Sequence, residues 1–397
     1  MEILANIRWI SPDNLISMSL INKPKRTHAV PVIVILSELS PAKLTISIVD
    51  ELRNQKVDFR IVYLLKSSTE NASIERLKLT TYDKTYGCQS KASIVCTFVM
   101  LSLFLMRCRP SVVYMSGRIA SVVGTFCSVM IRTQFRIVTR HHGNENQILP
   151  SRAAYRLDQV VSALSTDIIA VSACASEQLS VEGVPNRKIN IIPNGIDVNH
   201  CSIVREKRNE LLMGNDVIQP LKIGVIARLT DWKGVQFTAE AFCLIREKYP
   251  EIRLQIIGAH SDAYPRISKI LSTQPSSSYE FVPFDEDVIS SFLNFSIFVH
   301  VPLETNSETF GLVYLEALAT GTPAIFTKSG ILNEVDPGDS AIMVKSRSSD
   351  SIKEAIDSIL IGQTKISQMS LEFLSKNYSL ARMSKEHVAF ILKALSV

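Results

Sequence analysis

The sequence predicts an α/β protein with two doubly wound parallel sheets. The chain has 397 residues, and ~150 residues per domain suggests two or three domains. Short β-rich apolar runs alternate with amphipathic stretches throughout, as in parallel α/β folds. A polar, charge-mixed stretch at 199–219 separates two series of such units and is the best candidate for a domain boundary.

The first series begins with a strand–helix–strand unit whose helix carries Leu44, Ile48 and Leu52 on one face. No helix or strand is assigned to residues 1–31 from the sequence. The predicted strands are 32–36, 59–65, 112–115, 136–139, 168–171 and 189–192, and the predicted helices are 42–54, 94–106, 120–131, 153–165 and 177–181.

The second series closes with a helix at 312–319, stopped by Gly321 with Pro323 beyond it, and then a strand at 324–327. Ligands of open parallel sheets bind beyond the carboxyl ends of the strands, so two facing sheets place a substrate between them. The earlier predicted strands are 221–226, 253–257 and 297–301, and the earlier predicted helices are 235–248 and 288–293.

Composition predicts a soluble globular protein of the cytosol. Apolar residues make up 46% and charged residues 20%, which excludes a disordered chain. The apolar run at 92–106 is shorter than the ~18 residues that span a bilayer, and the N-terminus lacks the pattern of a signal peptide. Seven cysteines without a C-x-x-C pair disfavour a disulfide framework and a zinc site.

Charge is distributed unevenly. Residues 1–200 contain 23 Lys and Arg against 15 Asp and Glu, whereas residues 201–397 contain 20 against 23. Basic residues such as Lys91, Arg107 and Arg109 flank apolar segments. This pattern suits binding to an anionic membrane surface or to a polyanionic substrate. The alternative is that these residues belong to an ordinary solvated surface. No nucleic-acid-binding motif occurs, so nucleic acid is not an expected partner.

The most specific segment is VPLETNSETFGLVYLEALATGTPAI, at 301–325. Glu308 precedes the predicted helix and Glu316 lies about one turn inside it, so both can face one cleft. Gly311 lets backbone amides from Phe310 to Leu312 approach an anion. Carboxylates beside open amides suit a polyhydroxylated, phosphorylated ligand, and the alternative is a pair of solvated helix charges.

A second segment, IGVIARLTDWKG at 223–234, places Arg228 and Lys233 after a strand, with Gly234 opening the next helix. Two cations at the carboxyl end of a strand can clamp a diphosphate, although an ordinary basic loop looks similar.

Two further segments follow strands of the first series. TRHHGNEN places His141 and His142 at a strand end, where a histidine can hydrogen-bond a reacting sugar or be merely structural. IPNGID, with the turn formers Asn194 and Gly195, suits a hinge.

The acidic run 285–287 has a D-x-D form that can hold a cation. Capping of the following helix is the better interpretation, because acidic residues favour helix N-termini. No catalytic Ser-His-Asp order, P-loop or H-E-x-x-H motif supports a hydrolase or phosphotransferase of those kinds.

Together, TRHHG, IPNGID, ARLTDWKG and SETFGLVYLEALATGTPAI resemble, in order, glycosyltransferase family 4, whose members are retaining enzymes with the GT-B fold. The resemblance covers about residues 32–397. It implies two facing Rossmann-like domains with a cleft between them: an acceptor-side domain at 1–205, a nucleotide-sugar domain at 206–376, and a helix at 377–397 that returns to the first domain.

The resemblance also implies site roles. Arg228 and Lys233 are expected to bind the donor diphosphate, Glu308 the donor sugar and Glu316 the ribose, with His141 or His142 near the donor sugar. The implied reaction is sugar transfer, with retention and without a metal or other cofactor, from a nucleotide-sugar to a hydroxyl of a glycolipid or cell-surface polysaccharide precursor, including lipopolysaccharide. The expected location is the cytoplasm, with peripheral binding at the inner face of the membrane.

One departure motivates a second hypothesis. The family often carries a glycine-rich loop after its first strand, whereas residues 37–43 read SELSPAK, without glycine. An inactive nucleotide-sugar-binding homologue acting as a partner subunit is therefore the alternative, and an epimerase or phosphorylase of related fold is a third.

Overall fold

The computed structural model describes residues 30–38, 43–65, 84–85, 91–140, 152–213 and 221–397. Within them the chain forms two sheets, one of seven strands and one of six, and every strand pair is parallel. The predicted α/β class with two parallel sheets is confirmed.

The first sheet has its first strand near the centre, in the order β3-β2-β1-β4-β5-β6-β7. Val34 on β1 is in register with Ile61 on one side and Tyr114 on the other. The strands are β1 (Val32–Glu38), β2 (Phe59–Leu65), β3 (Lys84–Thr85), β4 (Val112–Ser116), β5 (Phe135–Arg140), β6 (Asp167–Ala170) and β7 (Ile189–Ile191).

Helices cover both faces of this sheet, which explains why β1 is apolar at consecutive positions rather than alternating. Val32 and Val34 pack toward α1 and the C-terminal helix, whereas Ile33 and Ile35 pack toward α2 and α3. The helices of this half are α1 (Lys43–Asn54), α2 (Lys91–Cys108), α3 (Arg118–Met130), α4 (Arg152–Leu164), α5 (Ala173–Val181) and α6 (Val198–Met213).

The second sheet repeats the arrangement, in the order β10-β9-β8-β11-β12-β13. Its strands are β8 (Lys222–Ile226), β9 (Arg253–Ile257), β10 (Tyr279–Val282), β11 (Ile297–His300), β12 (Ala324–Phe326) and β13 (Ile342–Met343). Its helices are α7 (Val235–Arg246), α8 (Tyr264–Leu271), α9 (Val288–Ser291), α10 (Leu312–Thr320), α11 (Ser349–Leu360) and α12 (Leu371–Tyr378), and the chain ends with α13 (Leu380–Leu395).

The predicted strands and helices of both series are present, with shifts of a few residues at their ends, and Gly321 ends α10 in the left-handed conformation as predicted. One expectation was wrong: the second series does not close at 324–327, because β13 and α11 follow. Most of the polar stretch at 199–219 lies in α6, which follows the last strand of the first sheet and precedes the first strand of the second.

Helix α6 carries many polar residues, yet one face of it is buried. Cys201, Val204 and Arg208 are buried, and the Arg208 guanidinium donates to the main-chain oxygens of Phe292 and Phe295 at 3.3 and 2.6 Å. This helix runs through the predicted boundary at residue 205 and packs against α9 and α10 of the second half.

The two segments of the chain that connect the halves lie side by side. Ile196 donates from its amide to the oxygen of Tyr378 at 2.7 Å and accepts from the Leu380 amide at 3.0 Å. A Cβ at Gly195 would lie 2.6 Å from the Ser379 oxygen, so the Asn194–Gly195 turn requires glycine there. Helix α13 then packs on α1 of the first half.

The topology positions a ligand site. In each sheet the chain first winds to one side and then to the other, so the switch points lie between β1 and β4 and between β8 and β11. The carboxyl ends face each other, because Ser172 after β6 donates to the Thr309 oxygen after β11. The described helices include none that is both long and apolar enough to span a bilayer.

Candidate functional site

The loop after β8 carries Arg228 and Lys233 to the switch point of the second sheet. Arg228 is exposed, whereas Lys233 is partly buried on a short 3₁₀ turn with its ammonium 4.5 Å from the centre of the Trp232 ring. Gly234 ends that turn with φ of 72°, and a Cβ there would lie 2.0 Å from the oxygen of Val301. Glycine therefore allows this loop to touch the end of β11.

Glu308 lies in the loop after β11 and is 7% exposed. Its Oε1 accepts from the Lys233 ammonium and lies 2.9 Å from Nε2 of His300, and its amide donates to Ser329 Oγ at 3.0 Å. Burial opposes ionisation, but Lys233 and the hydrogen bond from His300 lower the pKa of Glu308 to about 2. The carboxylate is therefore ionised at neutral pH.

His300 is a site residue that the sequence analysis missed. It is the last residue of β11 and is buried, with its ring 4.7 Å from Tyr314 and stacked 6.3 Å from Phe298. Burial lowers the pKa of His300 although Glu308 opposes this, so the imidazole is neutral at pH 7. Because an ionised Glu308 only accepts, Nε2 of His300 carries the proton. The available signal was a polar residue ending an apolar strand eight positions before Glu308.

The N-terminus of α10 lies beside Glu308. Gly311 precedes this helix with φ of 79° and without a side-chain capping bond among the described residues. The Tyr314 amide donates to the Gly311 oxygen at 3.2 Å, and the first-turn amides before it are left for a ligand. Phe310 is buried, and its oxygen accepts from the amide of Ile331 at 2.8 Å, which fixes the approach to Leu312. This arrangement can hold an anion with backbone donors and the helix dipole.

Glu316 lies one turn into α10 and is partly buried. Burial is the main cause that raises the pKa of Glu316 to about 7, with Lys43 opposing the shift and Asp197 adding to it. The two carboxyl groups of the site therefore differ: Glu308 is ionised at neutral pH, whereas the pKa of Glu316 lies near neutrality.

A polar cluster joins the first half to this region. Lys43, the first residue of α1, places its ammonium 3.4 Å from Asp197 Oδ2 and 3.3 Å from His200 Nδ1. His200 Nε2 lies 3.2 Å from the Ser290 hydroxyl of the second half. Lys43 and Asp197 are thus charges that the first half contributes near Glu316.

The structure brings Lys233, Glu308 and the α10 N-terminus together and places Arg228 at the adjacent strand end. His141 and His142 lie outside the described residues, as do residues 39–42 of the glycine-free loop. The capping interpretation of 285–287 is confirmed, because Asp287 is the N-cap of α9 and accepts from the Ser290 amide. Among the described residues, no group of three or more metal-ligating side chains is present.

Sequence and structure comparisons agree with this architecture. A relative, the capsular polysaccharide biosynthesis glycosyltransferase CapM of Staphylococcus aureus, is 24% identical over 265 residues, which are 64% of this chain and 68% of CapM. The Anabaena protein Alr3699/HepE, solved with UDP and glucose, superimposes with a TM-score of 0.74 at 17% identity over 92% of this chain and 99% of that one.

The fold is also shared with enzymes of another class. A UDP-GlcNAc 2-epimerase from Neisseria meningitidis superimposes with a TM-score of 0.61 at 16% identity over 91% of this chain and 100% of that one. The family matches are more specific: residues 42–200 match Glycosyltransferase Family 4 and residues 216–372 match Glycosyl transferases group 1. The chain is therefore a glycosyltransferase of the family 4 type, with the GT-B fold.

Proposed function

We propose that the protein transfers a sugar, with retention at the anomeric carbon, from a nucleoside-diphosphate-sugar to a hydroxyl of a glycolipid or polysaccharide precursor. The observation that carries this proposal is the ionised Glu308, held by Lys233 and His300 beside the open N-terminus of α10. This site offers a carboxylate for sugar hydroxyls and backbone donors for a diphosphate.

The proposed chemistry follows from where charge develops. When the bond to the anomeric carbon breaks, the sugar becomes positive and the diphosphate leaving group gains negative charge. Arg228, Lys233 and the amides between Phe310 and Leu312 stabilise that leaving group, so no metal ion is needed in this scheme.

Each remaining site residue has a proposed place. Glu316 accepts from the ribose hydroxyls, and one of His141 and His142 contacts the donor sugar from the first domain. The structure of Alr3699/HepE with UDP and glucose supports a nucleotide-sugar as the donor class.

The acceptor proposal rests on charge and on relatives. The excess of basic residues in 1–200 suits an anionic lipid surface and supports the proposal of peripheral binding at the cytoplasmic face of a membrane. The name of CapM supports polysaccharide biosynthesis as the process.

The transfer test combines labelled donor with membrane lipid extract and follows nucleoside diphosphate release, labelled lipid and the anomeric configuration of the product. We expect diphosphate release with label in lipid at the donor's own configuration. Inversion would contradict retention. Binding without release would favour the inactive homologue, and a changed sugar without transfer would favour an epimerase.

A further inference from the structure

We propose that His300 is a positioning residue that fixes the orientation of Glu308 so that Oε2 of this carboxylate faces the donor sugar. The inference rests on the proposed function, because it concerns how Glu308 is presented to the donor. His300 itself reaches no reacting atom in this scheme and acts through Glu308.

The geometry separates the two oxygens of Glu308. The Lys233 ammonium and Nε2 of His300 both contact Oε1, and no hydrogen bond to Oε2 is found in the described part of the chain. A carboxylate accepts through both oxygens, so anchoring Oε1 at two points leaves Oε2 able to accept from a ligand.

The residues packed around His300 restrict the rotation of its imidazole ring. Its ring contacts Tyr314 edge-on, and the Tyr314 hydroxyl donates to the oxygen of Thr327 at 3.2 Å. Phe298 lies parallel to the imidazole from a neighbouring position of the same strand. A neutral imidazole buried between these rings offers a single N–H, and that N–H is directed at Glu308.

A second donor is useful because Lys233 is shared. In the proposed reaction its ammonium serves both Glu308 and the diphosphate, so its hold on Glu308 weakens as the leaving group gains charge. His300 has no such competing role. It keeps a buried carboxylate hydrogen-bonded and oriented, which the structure needs because an unpaired buried charge is costly.

The test compares His300→Gln, whose amide nitrogen can reach the place of Nε2, with His300→Phe, which removes the donor. Phe326→Leu is the packing control, because Phe326 is buried against the Tyr314 ring at 4.9 Å and is not hydrogen-bonded to Glu308. Affinities for UDP and for UDP-glucose are measured together with kcat and melting temperature.

We expect His300→Phe to lower kcat/KM on the order of 10²-fold, the cost of a misplaced reacting group, while UDP affinity stays within twofold. The extra affinity of UDP-glucose over UDP is lost in His300→Phe and largely regained in His300→Gln. Equal losses for UDP and UDP-glucose, or the same pattern in Phe326→Leu, would show a merely structural role and overturn the proposal.

A measurement without donor separates this inference from the proposed function. In ¹⁵N spectra of the ligand-free protein, assigned by loss of the signals in His300→Gln, we expect a neutral ring protonated at Nε2 between pH 7 and 8. A ring protonated only at Nδ1 would overturn the positioning role whatever the donor. Failure of every donor to bind, with Nε2 protonated, would contradict only the proposed function.

Discussion

Ser172 Oγ donates to the main-chain oxygen of Thr309 at 2.6 Å, which ties the carboxyl end of the first sheet to the residue that follows Glu308. Ser172 Oγ also accepts from the amide of Ala175 at 3.0 Å and so caps α5. The Ser172 hydroxyl therefore caps a helix of the first half and holds the loop of the second half that carries Glu308.

Ser172→Ala tests this link. We expect a loss of ~1 kcal/mol of stability from the missing cap, and a fall in kcat/KM because the loop beside Glu308 loses its tie. Ser348→Ala is the matched control, because Ser348 caps α11 in the same way and has no hydrogen bond to the first half among the described residues. Equal kcat/KM in the two variants, by steady-state assay, would show that the tie does not matter for the site.

Arg228→Ala removes the exposed cation at the end of β8. We expect turnover to fall roughly 10²-fold or more, as for the loss of one preorganised charge donor, with little change in melting temperature. Arg266→Ala serves as the control, because this exposed arginine lies on α8 against Glu240. Near-normal turnover of Arg228→Ala would remove this residue from the diphosphate site.

Glu316 makes stability depend on pH. Its pKa is raised from 4.5 to about 7, so the native state retains a proton that the unfolded chain has already lost within that range. The stability contributed by this group is present below pH 4.5 and is lost as the pH rises through 7.

We therefore expect Glu316→Gln to gain stability relative to the wild type between pH 5 and 8, by on the order of 1–3 kcal/mol in urea titrations. Glu354→Gln, on the exposed side of α11, should show no such trend. A pH-independent difference between wild type and Glu316→Gln would mean that the carboxyl is ionised throughout this range.

Gly311→Ala tests the approach of backbone to ligand. The residue adopts φ of 79°, and an added Cβ would lie 2.7 Å from the Tyr314 ring. We expect a loss of more than ~1 kcal/mol and weaker UDP binding. Gly362→Ala, at φ of 69° with open space around it, isolates the backbone strain alone. If both variants bind UDP like the wild type, the α10 amides do not hold the diphosphate.

The sequence alone predicts those features that depend on residues close together in the chain. Consecutive apolar residues such as Val32 to Leu36 predict a strand covered on both faces. Lys233 was predicted because it follows a strand, and Glu308 because it precedes a helix that carries Glu316. Features that depend on tertiary partners were missed. Arg208 looks like a surface residue until its carbonyl partners are known, and His300 gains its role only from the position of Glu308.

The most direct measurement of the central claim is the thermal stability of the protein with UDP-, GDP- and ADP-sugars, in EDTA, for wild type, Glu316→Ala and the control Glu354→Ala. A donor at ~100 times its dissociation constant adds ~2.7 kcal/mol to the folded state. We predict stabilisation by one nucleotide class, independent of metal, retained in Glu354→Ala and lost in Glu316→Ala. No stabilisation by any donor, or equal stabilisation of all three proteins, would contradict the proposed donor site.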